Sequence, residues 1–310
     1  MRYRTLGKTN LQVSVIGIGT WQFGGEWGKN VSQAEADAIL DAAAECEINL
    51  IDTAECYGLE HLSEKLIGDY LSRRDRSRWV VATKFGHHYK SFMNRDEDFS
   101  IAGVSAQLDA SLKALRAETI DLYQFHSGSD AVFQNEELWN FLAGQKRAGK
   151  IRHLGASILQ AGSELQAREA AKFGVEALQV YYNRLDCRAE EIYFPHAQKN
   201  NLGILARVPL ASGLLSGKYK SGLSFDTNDV RVTFEHQKMM RDVAEVERLQ
   251  REEVPPGMPM AKWAMAWCLK NPAVSALIPG CKNPEQVREN AEAAELSIVP
   301  EKSQPAPAKS

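Results

Sequence analysis

Short apolar runs punctuate the chain: VSVIGIGT, INLIDTAE, RWVVATKFG, TIDLYQFHS, IRHLGAS, EALQVYYNRL, LGILARVPLA and AVSALIPG. Each is continuous rather than alternating and rich in β-branched residues, as a strand buried on both faces requires. Amphipathic stretches with helix-start signals lie between them. Ser32 stands in capping-box spacing before Glu35, and Ser105 leads AQLDASLKALR. Eight such alternations predict an α/β protein, a closed parallel (β/α)8 TIM barrel, since doubly wound open sheets rarely need so many regular units. Residues 2–13, RYRTLGKTNLQV, read as an N-terminal β-hairpin that plugs the barrel bottom, and extra helices follow towards the C-terminus.

The connection from Gly213 to Pro259 is longer than a strand-to-helix loop needs and carries a helical stretch, EHQKMMRDVAEVERLQREE; long connections of this kind are usually functional covers. No linker divides the chain, so residues 1–297 are expected to form a single domain. Residues 298–310, IVPEKSQPAPAKS, have the composition of a disordered tail. A net charge of −3 with dispersed lysines and arginines offers no basic stripe for nucleic acid. With no leader-like apolar region and no apolar window long enough to cross a bilayer, a cytoplasmic protein that does not engage membranes is expected. Nothing in the sequence specifies an oligomeric state. The five cysteines are scattered and predict neither disulfide framework nor metal site, so Cys56 and the others read as inert packing or surface residues. His87 and His88, with no second ligand at metal-binding spacing, read as a solvated loop.

Barrels of this kind gather their chemistry at the C-terminal ends of the strands. Asp52 ends the second run and Tyr57 follows in its loop, Lys84 ends the third, and His126 ends the fourth. Taken together, they make chemical sense. An ammonium at Lys84 favours a phenolate at Tyr57 and so lowers its pKa, a carboxylate at Asp52 keeps that lysine charged, and an N–H of His126 can polarise a carbonyl oxygen. The set suits protonation of a carbonyl oxygen while a cofactor delivers hydride to carbon.

IDTAECYG, VVATKFG and LYQFHSGSD resemble the signature regions of the aldo-keto reductases, and the similarity continues through HLGAS, LQVYYN, VPLASGLLSGKY and IPGCKNPEQVREN. The resemblance implies NADPH-dependent reduction of a small-molecule aldehyde or ketone, with Tyr57 as general acid, Asp52 and Lys84 tuning it, and His126 positioning the carbonyl. By matched position it implies NADP(H) contacts from Gly19, Thr20, Trp21 and Asp52, and carboxamide contacts from Ser157 and Gln179. Val208, Pro209, Leu210, Ser212, Leu214 and Lys218 would wrap the pyrophosphate. Gly280, Lys282, Gln286, Glu289 and Asn290 would hold the adenosine half, with Lys282 at the 2′-phosphate. Two positions depart from the commonest family pattern: Ile158 replaces an asparagine, and Arg207 replaces a tyrosine stacked on the nicotinamide. A guanidinium can stack there too. Trp21, Phe23, Trp27 and Phe85, with Tyr57 and His126, are expected to wall the substrate pocket. Two alternatives remain open. One is an NADP(H)-binding regulatory subunit of the potassium-channel β-subunit type; the other is a phosphate-handling barrel isomerase, which gives Tyr57 and Lys84 no joint task.

Overall fold

The computed structural model describes residues 1–159, 164–220 and 224–296. Its twelve strands are β1 (Tyr3–Thr5), β2 (Gln12–Ser14), β3 (Ile18–Gly19), β4 (Leu50–Asp52), β5 (Val80–Phe85), β6 (His87–Ser91), β7 (Asn94–Glu97), β8 (Ile120–His126), β9 (Ile151–Ser157), β10 (Ala177–Tyr181), β11 (Gly203–Arg207) and β12 (Ala276–Ile278). Eight of them form one parallel sheet in the order β3-β4-β5-β8-β9-β10-β11-β12. Parallel bridges between Ile16 and Leu277, and between Gly19 and Gly280, join the two edges, so the predicted (β/α)8 barrel is closed.

Side chains alternate between barrel interior and helix-facing exterior with a period of two, and this fixes what each strand can contribute. The lower interior is an apolar layer of Leu50, Val80, Ala82, Leu122, Ala177, Leu205 and Ala276. Two residues further along, the same inward rows present Asp52, Lys84, Gln124, Gln179 and Arg207. Gly155 lies beside Gln124, where a Cβ would come within 2.8 Å of the glutamine Cγ, so glycine makes the room that Gln124 fills. The outward rows, including Ile51, Val81, Tyr123, Leu178 and Ile204, bury against the surrounding helices in one large cluster.

The predicted N-terminal hairpin is present: β1 and β2 pair antiparallel, and Leu6 and Val13 complete the apolar layer at the barrel bottom. The capping box of Ser32 and Glu35 starts the helix Gln33–Glu45. The second helix-start expectation is corrected. The helix begins at Ile101 and is capped by Ser100, whose side chain accepts from the Gly103 N–H, and Ser105 lies inside its second turn. Asp98 also accepts from the Ser100 N–H, which stabilises the earlier start. Helices after the later strands are short, as at Glu164–Glu169 and Phe194–Lys199.

The long connection builds a satellite core, in which Leu214 and Leu215 pack against Met239, Val243, Val246 and Leu249 of the helix His236–Glu252 and against Trp263. The tail expected at 298–310 lies outside the described residues. No described helix is long and apolar enough to cross a membrane.

Leu6 is wholly buried in the plug. Leu6→Ala should therefore cost about 2–5 kcal/mol of stability, read by urea unfolding; a loss below about 1 kcal/mol would mean the hairpin only rests on the barrel.

Candidate active site

Lys84 ends the inward row of β5, fully buried, and its ammonium is held on three sides. It donates to Asp52 Oδ2 at 2.7 Å, to the Thr53 carbonyl at 2.7 Å and to the Tyr57 hydroxyl at 3.1 Å. The other oxygen of Asp52 accepts from Gln179 Nε2 at 2.7 Å and Gln124 Nε2 at 3.1 Å. Burial alone would lower the Lys84 pKa, but Asp52 and Tyr57 outweigh it and the net shift is upward, so the lysine stays charged. For Tyr57 the balance goes the other way from the expected one. Burial raises the phenol pKa, Lys84 pulls it down, and the net result is above the ordinary value. The resting phenol therefore keeps its proton while an ammonium stands ready to stabilise the phenolate.

His126 faces Tyr57, with ring centroids 6.3 Å apart and planes nearly perpendicular. Burial, reinforced by Lys84, His87, Arg207 and Arg95, holds its pKa well below the usual imidazole value, so it is neutral with a single N–H. Cys56 is more than packing. Its Sγ lies 3.8 Å from His126 Nδ1, and burial pushes the thiol up to about 11, so it remains an S–H able to donate to that nitrogen. This arrangement favours the tautomer with the proton on Nε2.

These groups open into a cavity of about 490 Å³ that runs from Tyr57 to the helix Pro284–Glu292. Gly19, Trp21, Trp27, Ser157, Gln179 and Arg207 line it, as do Val208, Pro209, Leu210, Ser212 and Lys218 and also Gly280, Lys282, Gln286, Glu289 and Asn290. Five expected contacts do not face it. Lys84 acts from beneath. Thr20 is wholly buried and donates its hydroxyl to the Asp52 carbonyl, and Leu214 belongs to the satellite core. Phe23 is buried in the main core, and Phe85 packs on Tyr123 at 4.9 Å. Phe85 could not do otherwise, since Lys84 points inward and its neighbour must point outward.

The structure also brings in residues the sequence reading passed over. β6 and β7 form a hairpin, so His87 and His88 are strand residues rather than a solvated loop; His87, Met93 and Arg95 line the cavity. Glu26, almost fully buried, ties this hairpin down. Its carboxylate accepts from Trp21 Nε1 at 2.8 Å, the Met93 N–H at 2.8 Å and Arg95 Nη2 at 2.5 Å. From the long connection, Tyr219 and Arg231 reach the cavity, and Arg231 forms a two-pronged pair with Asp229. That segment clasps the loop after β3 through Val230 N–H to Glu26 O at 2.8 Å and Gly28 N–H to Asn228 O at 3.1 Å. Only the inward row of β8, one step below His126, could have singled out Gln124 in the sequence.

Two observations fit the cavity to a large polar cofactor. Of seven buried side-chain polar atoms without a hydrogen-bond partner among the described residues, four belong to its lining: Gln22 Oε1, Trp27 Nε1, His87 Nδ1 and Arg207 Nε. Leaving such atoms unpaired costs about 1–3 kcal/mol each, and a ligand would recover this only where a side chain turns the atom towards the cavity. The segment after β11 is also strained: Val208, Ala211 and Ser212 have φ of 58°, 47° and 57° ahead of Gly213 at 94°. A β-branched residue in the left-handed region is costly, and such strain concentrates at ligand clamps.

Behind the Tyr57 loop lies a second ionic cluster. Glu64, fully buried, accepts from Thr83 at 2.6 Å and meets His61 Nδ1 at 2.6 Å; Glu55 meets His88 at 3.2 Å and accepts from Gln107 at 2.9 Å, with His61 Nε2 3.8 Å away. Burial lowers the His61 pKa, but Glu64 and Glu55 more than offset this and raise it.

A model of the Aldo/keto reductase family matches residues 15–304. An uncharacterized oxidoreductase of Bacillus subtilis, YrpG, is 32% identical over 318 residues, covering 96% of this chain and 92% of its own. The NADH-specific methylglyoxal reductase of Escherichia coli is 30% identical over 314 residues, covering 96% and 95%. The holo structure of an aldo-keto reductase from Bacillus halodurans, AKR11C1, superposes with a TM-score of 0.80 at 27% identity, covering 97% of this chain and 93% of that one.

The His61 cluster has a pH signature. A raised folded pKa contributes stability below about pH 6.5, the unfolded value, that is lost as pH rises through the folded value. Denaturant unfolding of His61→Gln should thus show its largest deficit against the parent in mild acid and a shrinking one with rising pH; a deficit constant with pH would mean His61 is not charged in the fold.

Proposed function

The chain belongs to the Aldo/keto reductase family, and on that premise we propose that it reduces aldehydes or ketones to alcohols, with NADPH as hydride donor and Tyr57 as general acid. One observation carries this reading: the buried Lys84 ammonium bridges the Asp52 carboxylate and the Tyr57 hydroxyl at 2.7 and 3.1 Å. A barrel isomerase would leave this costly arrangement without a task.

The chemistry follows from the protonation states. The neutral His126 donates an N–H to the substrate carbonyl oxygen and holds it beside the Tyr57 hydroxyl. When bound, a reduced nicotinamide would supply hydride to the carbonyl carbon. As negative charge grows on the oxygen, the Tyr57 O–H bond breaks, the alcohol O–H bond forms, and the phenolate left behind is stabilised by Lys84. Asp52 does not exchange protons with the substrate; it keeps the ammonium in place, and the amides of Gln124 and Gln179 hold Asp52. Ser157 and Gln179 would bind the carboxamide and orient the ring. Arg207 would lie against that ring, as its place on the cavity wall suggests. The strained segment Val208–Gly213 with Lys218 would hold the pyrophosphate. Lys282, Gln286, Glu289 and Asn290 would take the adenosine half.

A specific feature favours use of NADH as well. Lys282 Nζ, the expected 2′-phosphate partner, already donates to the Trp27 carbonyl at 2.6 Å and stands 3.9 Å from Asp229. An acid so close offsets part of the attraction for a phosphate dianion. The Escherichia coli relative named as NADH-specific is consistent with a family in which this choice varies.

Two outcomes test the proposal. Tyr57→Phe keeps the ring and its contact with Trp21, so it should bind NADPH nearly as the parent does, seen by fluorescence titration, while kcat for an aldehyde falls by about 10²–10⁴-fold or more. Lys84→Met should fall comparably, and the double variant little further, because the two act as a unit. A Tyr57→Phe enzyme within a few-fold of the parent would refute the acid assignment. Separately, Lys282→Ala should weaken NADPH more than NADH by about 1–3 kcal/mol; equal losses would show that Lys282 does not read the phosphate.

A further inference from the structure

The two departures from the commonest family pattern touch each other. Arg207 closes the inward row of β11, and its Nη2 donates to the Ile158 carbonyl at 3.1 Å. Its guanidinium carbon stands 5.6 Å from the centroid of the Tyr181 ring on the neighbouring strand. Nε is enclosed without a hydrogen-bond partner among the described residues, while part of the residue stays open where it lines the cavity. An arginine in such a place is ordinarily seated by a carboxylate. Among the described residues none pairs with it. Tyr181 and Tyr193 are phenols that burial keeps neutral. The acid whose field reaches Arg207, Asp52, is bound to Lys84. Burial lowers the Arg207 pKa, yet a guanidinium keeps its proton inside a protein, so a positive charge stands here without a counter-ion.

The other cations of the cavity wall are compensated or exposed. Arg95 pairs with Glu26 at 2.5 Å, Arg231 pairs with Asp229 at 2.6 Å, and Lys282 stands 3.9 Å from the same aspartate. Lys218 is exposed. Beside the tetrad, the Lys84–Asp52 pair has no net charge and His126 is neutral. The uncancelled charge near the reacting groups is therefore that of Arg207, and it is felt there, since it helps to hold the His126 pKa down.

We propose that Arg207 is a specificity-determining residue for the redox state of the cofactor: its unpaired charge disfavours the cationic oxidised nicotinamide ring but not the neutral reduced one, so the protein binds NADPH more tightly than NADP+. The proposal rests on the carbonyl-reductase reading above, with Arg207 against the ring. An aromatic side chain in the same place would act in the opposite sense, because a π face attracts a cation. Both redox forms carry the same phosphates and adenosine, so contacts from Lys218, Arg231 and Lys282 cancel in the comparison and the ring charge alone remains. The consequence is a site that fills with the reduced form from a mixture of the two and sheds the oxidised form once the carbonyl is reduced. By linkage, a tenfold preference for the reduced form raises the potential of the bound couple by about 30 mV.

Tryptophan-fluorescence titration of the full chain with NADPH, NADP+, NADH and NAD+ gives two ratios of dissociation constants, oxidised over reduced. In the parent each should be roughly tenfold or more, the repulsion of two like charges near contact after allowance for solvent screening. Arg207→Met, uncharged and of similar length, should bring both ratios towards one. Arg207→Lys keeps the charge and loses the plane, and should retain most of the preference. Because each ratio is internal to one protein, loosened packing in a variant does not mimic the effect. Parent ratios near one overturn the proposal. So does a ratio unchanged in Arg207→Met, the mark of an arginine that holds the pyrophosphate, and so does a preference lost equally in Arg207→Lys, which traces it to the guanidinium plane. If Arg207→Met does not fold, the parent and Arg207→Lys still decide. A parent that binds none of the four nucleotides overturns the cofactor reading beneath the proposal.

Discussion

Moving an ammonium and a carboxylate out of water costs several kcal/mol per ion, and Lys84 and Asp52 both lie almost wholly inside the barrel. Their 2.7 Å contact is tolerable only because every remaining valence is met: Thr53 and Tyr57 on the lysine, Gln124 and Gln179 on the aspartate. Removing either ion strands the other, a loss of about 3–5 kcal/mol. The upper barrel is arranged around this demand. Gly155 makes room for Gln124, Thr20 takes the Asp52 carbonyl, and the Tyr57 loop is pinned by its own cluster of buried acids and histidines.

Much of this was legible in the chain. Eight continuous apolar runs announced eight strands because strands covered on both faces admit few polar residues. The tetrad was legible because a charged residue closing such a run needs a reason. The failures are equally physical. Phe85 was assigned to the pocket by its nearness to Lys84 in sequence, although adjacent strand residues face opposite sides. Ser105 lost the helix start to Ser100 because Ser100 caps the Gly103 N–H and is itself held by Asp98, contacts that the residue pattern does not show.

The hairpin after β5 was not legible at all. HHYKSFMNRDE has neither an apolar face nor a glycine turn, and its bend uses Met93 in the left-handed region. What holds it is a carboxylate far away in sequence, Glu26, which links Trp21, Met93 and Arg95. Such a link depends on tertiary contact and leaves no local trace. The strain at Val208 is hidden for the same reason: nothing in ILARVPLA marks a valine with positive φ, held in part by Asn183 donating to its carbonyl at 3.1 Å.

The closure of the barrel has a consequence for how the protein is made. The strand β3 is two residues long, and its neighbourhood completes the ring by pairing Ile16 with Leu277 and Gly19 with Gly280. On a ribosome adding about 5–20 residues per second, the second partner emerges on the order of tens of seconds after the first. During that interval the apolar edge around Val15–Ile18 has no strand to meet on one side. Contacts of such long sequence separation slow folding and leave an edge open to association with other chains.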